Sequence, residues 1–230
     1  MRTFLVTGCG RSGTQYIARV LTTAGIQCGH EETFRGYDSD CFSDPGARGD
    51  ASWLAVPFMS NLPIDSLVLH QTRDPRQVLL SYLAEGFFRP SAYEAPIWKH
   101  IVKRALGIPA SGQYRLICLV KATLPGIFQE PTELRRAARF WVEWNSLVGL
   151  GAREIGLEYV QYKIEDLNQE LLQDLVLRIT GKVVDPTRAL AITPRDLNSR
   201  PRERSFPLHN LGSYQETFVS TASAYGYSLV

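Results

Sequence analysis

The chain is poor in cysteine, in excess charge and in long apolar runs, and each shortage removes a class of protein. Its four cysteines, Cys9, Cys28, Cys41 and Cys118, are few and irregularly spaced, so neither a disulfide framework nor a zinc site is indicated. The formal net charge is only +2. That is too small to imply nucleic-acid binding, and any electrostatic recognition has to be local. No apolar run approaches the length of a membrane span, so no transmembrane segment is expected. Met1-Arg2 leads straight into an apolar strand pattern without a signal-peptide core, and a cytoplasmic protein is the expectation. Internal repeats and low-complexity segments are missing too. What remains, 44% hydrophobic and 21% charged residues over 230 positions, suits one globular α/β domain, 1–230, with a core of sufficient size.

The richest stretch is Phe4 to Leu21, where an apolar run meets a glycine-rich turn and then a helical pattern. Phe4 to Val6 read as a buried strand, while Ile17, Val20 and Leu21 recur at helical spacing. Between them Gly8, Gly10 and Gly13 let the backbone turn tightly and bring its N–H groups against a ligand. A helix starting at about Gly13 adds unpaired N–H groups and the positive end of its dipole. Arg11, Ser12 and Thr14 add a cation and two hydroxyls, which completes a site for a phosphate-like anion. A glycine-rich turn capped by Ser and Thr also joins strands to helices with no ligand, but such a turn needs neither the cation nor the hydroxyls. The nucleotide P-loop has Gly, four residues, Gly, then Lys and Ser or Thr. Gly8 and Gly13 have that separation, yet Thr14 and Gln15 follow, and the lysine is missing.

The cation is instead Arg11, and Gly10-Arg11-Ser12-Gly13-Thr14 resembles the 5′-phosphosulfate loop of sulfotransferases that use 3′-phosphoadenosine 5′-phosphosulfate (PAPS). A second motif carries the same resemblance. Ser66 to His70 is an apolar strand with Arg73 at its C-terminal end, and Asp74 and Pro75 are the N-cap and first residue of a helix through Val78, Leu79, Tyr82 and Leu83. Arg73-Asp74-Pro75, five residues, then Ser81 is similar to the 3′-phosphate site of that family, where Arg and Ser bind the phosphate that distinguishes PAPS from other adenosine nucleotides. His70 is expected to pack or hydrogen-bond within the core. The resemblance implies a central, mostly parallel sheet flanked by helices in a P-loop-like sulfotransferase architecture.

Between the motifs, a short strand Ile26-Gln27-Cys28 leads into Gly29-His30-Glu31-Glu32-Thr33. A parallel α/β sheet brings the end of this strand to the edge that holds the phosphate loop. His and Glu there are candidates for the general base, although a solvated turn with a capping Glu has the same composition. Sulfotransferases that modify protein tyrosines carry a similar Cys-Gly-Glu-Glu-Thr with its first Glu as base, whereas this chain inserts His30. Glu31 is the first choice and His30 the second, with Glu32 left open. The long polar connection from Arg35 to Pro57 ends in Trp53, Leu54 and Phe58, which either line a pocket beside the base or pack in the core.

The rest of the chain adds structure more than chemistry. Lys99, His100, Lys103 and Arg104 form a basic helix face, read either as solvated or as facing an acidic or glycan acceptor. Arg115 to Val120 suits a strand, with a helix as the alternative. Thr132 caps a helix with Trp141 and Trp144 inward and Arg135, Arg136 and Arg139 outward. Leu157 to Tyr162 is a strand, Asp166 a candidate cap for the helix that Gly181 ends, and Ser213 the start of a last helix. By resemblance, Ile164 stands where many sulfotransferases place a cofactor-side Tyr, and the Pro-rich stretch from Thr193 to Pro207 is the late loop that brings Arg200 or Arg202 to the 3′-phosphate.

The resemblance implies the following roles. Gly10 to Gln15 cradle the 5′-phosphosulfate, Tyr16 lies against adenine, Arg73 and Ser81 take the 3′-phosphate, and Arg11 meets the charge that builds on the departing 3′,5′-adenosine bisphosphate. No metal is called for. A hydroxyl on a sugar, lipid, peptide or small metabolite would satisfy the chemistry as acceptor. A P-loop kinase acting on a small molecule, which would need magnesium and the missing lysine, and a non-catalytic nucleotide-binding relative are the other readings.

Overall fold

The computed structural model describes residues 2–34, 49–106, 111–183, 187–193 and 206–229. In chain order its elements begin β1 (Phe4–Thr7), α1 (Thr14–Thr23), β2 (Gly29–His30), β3 (Gly49–Ala51), β4 (Leu67–Thr72), α2 (Pro75–Glu85), α3 (Pro90–Ala105) and α4 (Gly112–Thr123). They continue with α5 (Glu133–Ile155), β5 (Glu158–Lys163), α6 (Gln169–Thr180), α7 (Thr187–Ile192) and α8 (Gln215–Ala224). The chain forms two compact units, Met1–Asp74 with Trp144–Pro201 and Pro75–Glu143 with Arg202–Val230.

The first unit is an all-parallel sheet in the order β2-β3-β1-β4-β5. Every residue of β1 and β4 is buried, as a strand covered on both faces must be; both open on apolar runs, and the polar His70, Gln71 and Thr72 at the end of β4 are buried with them. The register sets Val6 beside Ala51 on one side and Leu69 on the other. On one face, Tyr16, Ile17, Val20 and Leu21 of α1 and Leu172, Leu175, Val176 and Ile179 of α6 close over Phe4, Val6 and Leu69. Gly25, at φ 85°, turns the chain out of α1. Because all strands run the same way, the C-terminal ends of β1, β2, β3 and β4 share one edge. Chain connections leave β1 toward β2 and leave β4 toward β5, in opposite directions, so a crevice opens outside their ends.

Several local expectations are corrected. Ile26 does not open a strand: its N–H still donates to Leu21 of the α1 end at 2.9 Å, and pairing begins only at Gly29 and His30, against Asp50 and Ala51. Asp166 does not cap α6, because a tight turn at Ile164–Asp166 ends before the helix and Asn168 accepts the Leu171 N–H at 2.9 Å.

In the second unit, residues 115–120 lie within helix α4, where Ser111 caps Tyr114 at 3.3 Å and the apolar Ile117 and Val120 are buried. This unit packs Tyr82 edge-on to Phe88 and Phe140, with Trp141 against Phe218. Arg136, expected to face outward, is buried here. Its guanidinium donates to the Phe88 carbonyl at 2.9 Å and lies over the Tyr93 ring, which supplies the hydrogen bond and cation–π contact that a buried cation needs. Trp141 and Trp144 are fully buried.

Candidate active site

The loop after β1 is folded around two tight approaches. A Cβ at Gly8 would lie 2.1 Å from the Gln71 carbonyl oxygen, so only glycine lets β1 leave the sheet beside β4 at this point. Gly13, at φ 96°, is the left-handed N-cap of α1. Ile17 donates to Gly13 in the first intrahelical bond, at 3.1 Å, which leaves the N–H groups of Thr14, Gln15 and Tyr16 without an intrahelical acceptor. They point the helix's positive end into the crevice.

Around the loop stands a buried polar frame. Asn145 Oδ1 accepts the Cys9 N–H at 3.0 Å and lies 3.0 Å from His70 Nε2, while His70 Nδ1 lies 2.6 Å from the Tyr159 hydroxyl. Asn145 Oδ1 can only accept, so His70 carries its proton on Nε2 and accepts from Tyr159 at Nδ1. Burial holds His70 neutral, its pKa lowered to about 4 against the pull of the Asn145 hydrogen bond. Gln71 Nε2 donates to the Ser12 carbonyl at 2.7 Å, and the Gln71 amide oxygen accepts from the Tyr162 hydroxyl at 2.6 Å. Arg73 donates to the Arg11 carbonyl at 3.3 Å. The loop conformation is therefore fixed by β4, α5 and β5 together.

The cleft that results is lined by Arg11, Gly13, Thr14, Gln15, Tyr16, His30, Glu31, Trp53 and Arg73. It unites most of the residues singled out in the sequence. Gly10 and Ser12 stand behind it: Ser12 is 1% exposed, and its hydroxyl has no hydrogen-bond partner among the described residues. Tyr16 is both part of the core and a wall of the cleft. Ser81 is buried in α2 of the second unit. Arg200 and Arg202 lie outside the described residues.

Opposite the loop, the turn after β2 presents the candidate bases. His30 Nε2 is 3.2 Å from Thr14 Oγ1 and 3.9 Å from Glu31 Oε1. Glu31 is held at φ 55°, a left-handed conformation that is costly for a residue with a Cβ. Asp50 holds that turn, its two carboxylate oxygens accepting the N–H groups of Glu32, Thr33 and Phe34 at 3.3, 3.2 and 2.9 Å. Glu32 is exposed, and its backbone N–H is part of this bracket. Burial raises the Glu31 carboxyl above its ordinary range, and the nearby Asp50 charge adds to the rise. His30 and a Trp53 hydrogen bond oppose it. Arg11, at φ 70°, is the other non-glycine residue with positive φ among those described. Among the described residues, left-handed backbone outside glycine thus falls on two of the three candidate catalytic residues, Arg11 and Glu31.

Asn145, Gln71, Asp50 and Tyr162 were not anticipated. For Asn145 a signal was present: it follows Trp141 by four residues on the apolar face of α5, where a polar side chain needs an internal partner. Asp50 gave none, since Gly49-Asp50-Ala51 has no strand pattern of its own.

No protein-family model, curated protein or solved structure matches this chain.

Proposed function

We propose that the chain is a sulfotransferase that moves a sulfuryl group from PAPS to an acceptor hydroxyl. One observation carries the reading: a single cleft joins an anion cradle, formed by Arg11, Arg73 and the N-terminal N–H groups of α1, to a carboxylate of raised pKa at Glu31. An anion site alone would suit many ligands. An anion site facing a partly desolvated base suits group transfer to a hydroxyl.

The donor set fits the cosubstrate. The N–H groups of Thr14, Gln15 and Tyr16 and the Arg11 guanidinium would hold its 5′-phosphosulfate, and Arg73 would meet a further phosphate. When bound, PAPS supplies an activated sulfuryl group with 3′,5′-adenosine bisphosphate as its leaving group. Glu31 accepts the acceptor's hydroxyl proton, and its raised pKa makes it a better base than an exposed glutamate. His30, anchored by Thr14, shields and orients that carboxylate and is the second candidate for the proton. Arg11 keeps a positive charge where negative charge collects on the leaving oxygen, commonly the largest catalytic contribution.

The test is incubation with PAPS carrying labelled sulfate and a panel of sugars, lipids, peptides and small hydroxylated metabolites. Label transfer with release of the bisphosphate is expected, and Glu31→Gln should lower it by roughly a hundredfold or more. Unchanged turnover in both Glu31→Gln and His30→Ala would remove the base assignment. Binding of the bisphosphate without transfer to any acceptor would favour a non-catalytic relative.

A further inference from the structure

The second unit carries a surface that the proposed chemistry does not use. Residues 90–123, the helices α3 and α4 and their connection, hold Lys99, Lys103, Arg104, Arg115 and Lys121 against a single carboxylate, Glu94. That is a net +4 in a chain whose total is +2, which leaves the remainder at −2. The net charge of this segment comes from five cations with a single carboxylate among them.

The same segment exposes large apolar side chains. Trp98 is 68% exposed, Ile101 52% and Leu106 70%. They are not loose ends of a poorly packed helix, because the inner face of α3 is well anchored. Tyr93 packs on Phe128 with ring centroids 4.4 Å apart, and His100 stacks on Tyr114 of α4 at 3.8 Å. Gln113 of α4 also donates to the Ala92 carbonyl at 3.1 Å. With the inner face fixed, the outward direction of Trp98 and Ile101 is fixed too.

Successive helical side chains advance by about 100°. Trp98, Ile101 and Ala105 therefore fall within about 60° of arc, with Lys99 about 100° beyond one border and Arg104 about 60° beyond the other. Glu94 stands on the N-terminal turn of this strip, so the strip is free of carboxylate toward its C-terminal end, and the exposed Leu106 follows in the turn after α3. An apolar ridge with a tryptophan, flanked on both sides by cations whose alkyl stems can lie along it, is the geometry of a helix that rests in a lipid interface. It does not cross the bilayer, as no described helix is long and apolar enough to do so.

We propose that the outer face of α3 docks on an anionic lipid surface, with Trp98 and Ile101 entering the headgroup boundary and Lys99 and Arg104 meeting lipid phosphates and carboxylates. The exposed apolar ridge is what favours lipid over an acidic polymer, which would engage the cations and leave Trp98 and Ile101 in water. Each cation near an anionic membrane contributes roughly fivefold in partition.

The experiment is sedimentation of the full chain with phosphatidylcholine vesicles, with and without phosphatidylserine, together with quenching of tryptophan fluorescence by brominated lipid. Partition only onto the anionic vesicles, with quenching that is lost in Trp98→Phe, is the expected result. Lys99→Glu/Arg104→Glu should weaken partition by well over tenfold, and Ile101→Ser should weaken it at unchanged charge. All of these side chains are exposed, and circular dichroism of each variant checks that the fold is kept. Failure to partition, equal partition onto neutral vesicles, or partition indifferent to the variants would overturn the proposal. Retention on heparin without vesicle binding would also overturn it, in favour of an acidic polymer.

Discussion

The proposed function asks Glu31 to be two things that oppose one another, a residue of a folded protein and a base. Its backbone is left-handed and its carboxyl is partly desolvated, so the native state holds the protonated form more readily than the unfolded chain does. The linkage follows in sign: a group with a raised native pKa contributes its full stability below the ordinary value of 4.5 and loses it as pH rises through the native value. Glu31→Gln removes the charge and keeps the shape. The variant is therefore expected to melt higher than wild type near neutral pH, with the two curves converging below pH 4.5. At roughly 2–4 °C per kcal/mol for a chain of this size, thermal denaturation across pH detects the difference. A melting temperature equal to wild type at every pH would mean that Glu31 carries no desolvation cost. Arg11 shows the same compromise, a side chain placed by a conformation that glycine would adopt more cheaply.

At the scale of elements, the loop after β1 depends on how closely β1 and β4 approach. Gly8→Ala would drive a methyl into the Gln71 backbone carbonyl, and neither strand can yield, since both are buried and paired along their length. A loss of about 3 kcal/mol or more is expected, at the upper end of overpacking costs, read from urea denaturation. Gly25→Ala serves as control, because nothing lies within 4 Å of a Cβ there, so it should cost only about 1 kcal/mol for its left-handed backbone. The loop, α1, β4 and α2 were legible in the sequence because each is announced by its own residues: glycines at the turn, apolar periodicity, and a proline opening the helix. What the sequence did not disclose was support supplied from a distance. Asn145 reaches Cys9 across 136 positions and Tyr162 reaches Gln71 across 91, and no local pattern encodes such pairs. The strand at 26–28 and the cap at Asp166 failed for a related reason. Pairing partners and turn length, not intrinsic preference, decide where short elements begin.

For the molecule as a whole, His70 ties stability to pH. It is buried at the centre of the first unit, neutral, with its pKa at about 4 instead of 6.5. A histidine with a lowered native pKa contributes stability above 6.5 and loses it as pH falls toward 4. The loss amounts to about 3 kcal/mol across that window. Denaturant titrations should therefore show a wild-type stability that falls between pH 6.5 and 4, and a His70→Gln variant, less stable at neutral pH, in which that fall is much reduced. Because His70 shares Asn145 with Cys9, the same acidification should loosen the loop after β1. An identical fall in the variant would place the titrating group elsewhere. An α/β fold was deducible from composition and from the strand and helix patterns of the first third of the chain, and the mostly parallel sheet was what the family resemblance implied; the described strands are all parallel. The division into two units was not deducible, since it rests on which helices pack together.

The most direct test of the proposed cosubstrate is calorimetric titration with 3′,5′-adenosine bisphosphate, run in parallel with magnesium-ATP, on wild type and on Arg73→Ala. Tight binding of the bisphosphate without added metal is expected, with affinity falling by roughly tenfold or more when the Arg73 guanidinium is removed. Preference for magnesium-ATP, with no change in Arg73→Ala, would contradict the sulfotransferase reading and point to a kinase.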